Sequence, residues 1–126
     1  MAVGASATRV FETRREHSAE AIGNIGVDVV SSTALIGFCE ITCGAIFAGL
    51  LKSGEGSVGA RFDFIHMAPA RIGTHVTVEA RVIAIDGRKL DFEAVARNGH
   101  HELMKGRHRR VLIDLAAFMA REDVRG

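Results

Sequence analysis

The chain is 126 residues long, 48% hydrophobic and 25% charged, with a formal net charge of +1. That length fits a single domain, residues 1–126, able to bury its own core, and the balance excludes a disordered polyelectrolyte. A nearly neutral chain without Trp or Tyr, whose aromatic bulk is seven Phe, has neither the field nor the stacking platforms expected of a nucleic-acid binder.

In chain order, the opening residues MAVGASATRVFETRREH carry no apolar h-region, so no secretory signal is expected and the cytoplasm is the expected compartment. A first strand is expected over residues 9–17, then an Ala/Gly-rich stretch holding a short helical turn and a loop. Ser31 or Ser32 is a fitting N-cap for a long helix that runs to about Lys52. Residues 32–51, STALIGFCEITCGAIFAGLL, are long enough to span a bilayer. Glu40 at their centre argues against it, since a mid-membrane acid costs roughly 2.5–3.5 kcal/mol, and so do three glycines and the alternating strands that follow. A core helix is expected instead, and no membrane. Cys39 and Cys43 lie four apart on that helix, a poor geometry for a disulfide and, without a His pair, a poor zinc set. Packed, reduced thiols are expected.

Past the glycines of SGEGSVG the period drops to two. Phe62, Phe64 and His66 share one face. Val76, Val78, Ala80 and Val82 share another, then DGRK at 86–89 signals a hairpin. Leu90, Phe92, Ala94 and Ala96 alternate with polar neighbours, NGHH at 98–101 turns the chain, and a long strand is expected from about Glu102 to Ile113. The tail DLAAFMAREDVRG can add a last helical turn. A helix apolar nearly all round must be enclosed. The element order therefore predicts an α+β hotdog fold, an antiparallel sheet wrapped around one long central helix.

GEGSVG at 54–59 matches G-x-G-x-x-G in letters, yet it follows a helix and precedes a strand, the reverse of the dinucleotide order. It is read as a helix stop and strand entry. KGRHRR at 105–110 divides by alternation, with Lys105, Arg107 and Arg109 on one face and His108 and Arg110 on the other. It is either a solvated strand face or a patch for coenzyme phosphates. His100 and His101 fall in a turn with no carboxylate cluster, so no metal is expected. Glu40 stands apart, because an ionised carboxylate inside an apolar helix needs a partner. The inward-facing His66 is its natural one. With hydroxyls at the helix start, the pair forms a set fit for chemistry; a purely structural His66 is the alternative.

The ordered segments SSTALIGFCE, GEGSVGARFDFIHMAPARIG and GRHRRVLID, over roughly residues 30–115, resemble the hotdog acyl-CoA thioesterases that include fluoroacetyl-CoA thioesterase. The resemblance implies thioester hydrolysis in a homodimer whose active sites lie near the subunit interface, and no cofactor is expected. It places the catalytic set on Ser32, Glu40 and His66 and substrate contacts on Gly59 and Arg110, with Thr33 beside Ser32 as an alternative hydroxyl. Residues 21–32, AIGNIGVDVVSS, lack the aromatic lid of the fluoroacetyl-specific enzyme, which implies a short- to medium-chain acyl-CoA as partner. Ser32 and Glu40 are eight residues apart, about 12 Å along a helix, so either Ser32 folds back from the loop before the helix or, as favoured here, the site is shared between subunits. A non-catalytic acyl-binding dimer and a hotdog hydratase are the rival functions. The compact His-x-Asp pattern of the hydratase is missing after His66.

Overall fold

Small and β-branched residues alternating with polar ones build a single sheet, seen in a computed structural model that describes residues 2–125. Its strands are β1 (Ser6–Glu12), β2 (Glu55–His66), β3 (His75–Asp86), β4 (Lys89–Asn98) and β5 (His101–Asp114). All pairings are antiparallel, in the order β1-β3-β4-β5-β2. Val76, Val78, Ala80 and Val82 of β3 and Leu90, Phe92, Ala94 and Ala96 of β4 are buried, as their period of two requires. The two tight turns rest on Gly87 (φ +60°) and Gly99 (φ +59°), a backbone region that side chains with a Cβ disfavour.

Helix α1 (Ser32–Phe47) packs against one face of this sheet, and a 3₁₀ turn, Ala48–Leu50, extends it. Ser31 is the N-cap: its hydroxyl accepts the Ala34 N–H at 3.0 Å. Leu35, Phe38, Cys39, Thr42, Cys43 and Phe47 bury one side of α1 against the strands, so this long apolar helix belongs to the core. Two short helices, α2 (Leu115–Met119) and α3 (Glu122–Arg125), close the chain.

Two expectations need correction. The first strand lies at Ser6–Glu12 rather than 9–17, because its hydrogen bonds run from Ser6 opposite Arg81 to Glu12 opposite His75. Beyond it, the His17 ring accepts the Arg14 N–H at 2.8 Å and closes a 3₁₀ turn over Arg15–His17. The helix is also not enclosed on every side within one chain. Ile41 is 55% exposed, since a single sheet covers a single face. The edge strand β2 has no fully buried residue, and Phe62 on it is 45% exposed.

Candidate active site

Two polar clusters form along α1, one at its start and one at its middle. At the start, Ser32 and the end of β2 meet: Ser32 Oγ lies 2.7 Å from His66 Nδ1. The other ring nitrogen, Nε2, lies 3.0 Å from the Ala68 carbonyl, which can only accept, so it carries the proton. In the neutral ring Nδ1 is then bare and accepts the Ser32 hydroxyl proton. A hydroxyl on a correctly oriented imidazole is the arrangement of an activated nucleophile. The first turn of α1 adds backbone donors. Ala34 N–H goes to Ser31 Oγ and Leu35 N–H to the Ser31 carbonyl, leaving those of Ser32 and Thr33 outside the helix's own ladder at its positive end. Thr33 itself is exposed beside Ser32, and Ser32 supplies the hydroxyl to His66.

The second cluster gathers around Glu40. Its Oε2 accepts from Arg110 Nη1 at 3.0 Å, and the carboxylate side chain is 39% exposed while Arg110 is 12% exposed. Arg110 also donates from Nε to Ser57 Oγ at 3.1 Å and from Nη2 to the Ser57 carbonyl at 3.2 Å. Gly59 pairs with Arg110 across β2 and β5, and the register shifts just after it, between Gly59 and Arg61. A Cβ on Gly59 would sit 2.6 Å from Glu40 Oε2, so the missing side chain is the space the carboxylate occupies.

These contacts change the expected partnership. Glu40 meets Arg110, not His66, and it is half exposed rather than buried. Along β2, Gly59 and His66 are seven residues apart, about 23 Å at the rise of a strand. No side chain bridges that span within one chain. Ser32 and His66 are brought together, as are Glu40, Gly59 and Arg110, but the two groups remain apart.

His108, which the sequence placed only on the Arg110 face of β5, belongs to the second cluster. Its ring is 1% exposed, stacked on Phe62 at 4.4 Å, with Nδ1 2.9 Å from the Arg61 carbonyl. Burial holds its pKa below the ordinary histidine value, and the Arg110 charge acts in the same direction. The alternation within KGRHRR was the available signal. Cys39 and Cys43 are free and buried, and burial pushes both thiols up to about 12. Among the described residues, no three His, Cys, Asp or Glu side chains converge as a metal set.

Residues 13–116 match the family model of FlK, the fluoroacetyl-CoA-specific thioesterase. The fluoroacetyl-CoA thioesterase of Streptantibioticus cattleyicolor is 33% identical over 94 residues, which cover 75% of this chain and 68% of that protein. A Thr-to-Ser mutant of FlK in complex with acetyl-CoA has a TM-score of 0.92 at 30% identity, covering 99% of this chain and 97% of that one. A hot-dog-like protein from Thermanaerovibrio acidaminovorans shares the fold, with a TM-score of 0.89 at 22% identity over 98% of this chain and 91% of its own.

Proposed function

This chain belongs to the fluoroacetyl-CoA-specific thioesterase (FlK) family, and from that premise we propose that it hydrolyses short- to medium-chain acyl-CoA in an active site shared by two copies of the chain. It is an acyl-CoA thioester hydrolase of the hotdog fold. The observation that carries the proposed site is the 2.7 Å contact between Ser32 Oγ and His66 Nδ1, with the tautomer set by Ala68.

Ser32 Oγ attacks the thioester carbonyl carbon while its proton passes to His66 Nδ1. The free amides at the start of α1 hold the oxyanion. Collapse breaks the C–S bond, and His66 returns the proton to the departing sulfur. A water deprotonated by Glu40 then attacks the acyl-serine carbonyl. The C–Oγ bond breaks, and Glu40 passes the proton back to Ser32 as the free acid leaves.

The second step needs Glu40 near Ser32, and a second copy supplies it. β2 is an open sheet edge, and Ile41, Phe62 and Met67 leave apolar surface exposed on α1, on β2 and just past its end. Edges of that kind recruit another strand. Antiparallel pairing of two β2 strands about a point between Phe62 and Asp63 would set Gly59 opposite the partner's His66. Glu40 of one copy would then face Ser32 of the other. Two buried free thiols fit a reducing compartment, the cytoplasm.

Release of free thiol from a series of acyl-CoAs tests the activity. Turnover on short chains, abolished by Glu40→Ala with the fold intact, is expected; no turnover on any acyl-CoA overturns it. Mixing Ser32→Ala with Glu40→Ala chains should recover activity in the mixed dimers, each of which has one intact site. No recovery would remove the shared site. Mass analysis after rapid quenching should find the acyl group on Ser32. Its absence during steady turnover would assign the first attack to water on Glu40.

A further inference from the structure

We propose that His108 is a positioning residue that fixes the Arg110–Glu40 pair through a bare Nε2, a role that rests on Glu40 acting in the reaction. The Arg61 carbonyl accepts from Nδ1, so the proton sits there. Nε2 is then an acceptor, and Arg110 Nη1 lies 3.3 Å from it. Nη1 carries two hydrogens: one goes to Glu40 Oε2 at 3.0 Å and the other to His108. With Nε on Ser57 Oγ and Nη2 on the Ser57 carbonyl, all three guanidinium nitrogens are tied down.

The imidazole is itself immobilised. Phe62 stacks on it at 4.4 Å, Phe92 lies 6.3 Å away, and the Arg61 carbonyl it holds adjoins the register shift of β2. The charged groups facing it are Arg110 on its own strand and Glu40 on α1, whose Oε2 is 4.0 Å from Nε2. A proton on Nε2 would turn the acceptor into a donor. It would compete with Arg110 for Glu40 and place two cations side by side. The neutral tautomer with its proton on Nδ1 is therefore the form that keeps the carboxylate on Arg110. His66 holds the opposite tautomer, protonated on Nε2.

The test has two independent arms on the full-length protein. Long-range ¹H–¹⁵N correlation spectra of ¹⁵N-histidine-labelled wild type should report His108 protonated on Nδ1 and His66 on Nε2 at pH 7.5. A His108 ring protonated on Nε2 overturns the proposal whatever the variants do. In the kinetic arm, His108→Asn keeps a donor for the Arg61 carbonyl and loses the acceptor. It should lower kcat roughly tenfold with KM little changed, and His108→Gln, whose amide oxygen reaches the Nε2 position, should recover part of the loss. The loss should vanish in an Arg110→Met background, since the two residues act as one unit. Wild-type kcat in His108→Asn, or an equal loss with and without Arg110, overturns the role. Glu40→Gln is the separate control: full activity there would remove the catalytic carboxylate itself, whereas loss there with no effect at His108 removes only the positioning.

Discussion

Gly59 and His108 carry the sharpest consequences for single side chains. Replacing Gly59 with Ala would drive a methyl to 2.6 Å from Glu40 Oε2 and 2.9 Å from Phe62 Cζ, both far ends of side chains, and to 3.2 Å from Cε1 of the packed His108 ring. Folding should survive with a small shift in Tm, while Glu40 is pushed off Arg110 and kcat falls at least roughly tenfold; paired thermal melts and acyl-CoA kinetics measure both. His108 links pH to stability. Its pKa in the folded state is depressed, chiefly by burial, below the value of 6.5 that an unfolded chain would show. From neutral pH down to 6.5 the full contribution is present. Below that, the unfolded chain binds the proton first, and stability declines until the folded-state pKa is passed. Urea unfolding at fixed protein concentration between pH 7.5 and 5 should therefore show an acid-side slope that is smaller in His108→Asn.

At the scale of elements, α1 packs its apolar face on the sheet and carries Ser32 and Glu40 of the proposed site. Its sheet side holds Cys39 and Cys43, whose thiols are raised to about 12 by loss of water. Neither should react with a thiol reagent at pH 8 in the folded protein, and both should react at once in denaturant; rapid labelling of the native protein would mean that α1 lifts from the sheet. The same helix was readable in advance from its caps and composition, and so were β3 and β4 from their alternation, whereas Phe62 on β2, expected to face inward, is 45% exposed. The bounds of β1 were not, because the run Glu12 to His17 has no apolar period and its end depends on the pairing with β3 and on a local His17 contact.

For the whole molecule, the open edge of β2 and the uncovered side of α1 lead to one expectation. Ile41 is exposed on the helix surface that the sheet leaves free. In the proposed pairing of two copies, Ile41→Asp should leave the buried core of each chain unchanged, shift sedimentation from dimer to monomer, and remove thioesterase activity in parallel. An active monomer would mean that each chain completes its own site.

The sequence by itself determined which residue types were present and how they repeat along the chain: a capped apolar helix, period-two strands, glycine turns, and a short set of groups able to do chemistry. Those features depend on near neighbours, so they are legible in one dimension. Only the tertiary structure decided who meets whom. Glu40 and His66 looked like partners because each was the conspicuous polar group on an inward face. The antiparallel register of β2 with β5 instead puts Arg110 opposite Gly59, and α1 lays Glu40 across that pair. His108 entered the site for the same reason: a contact between residues 40, 59, 108 and 110 arises from strand pairing over long separations, which no local pattern encodes.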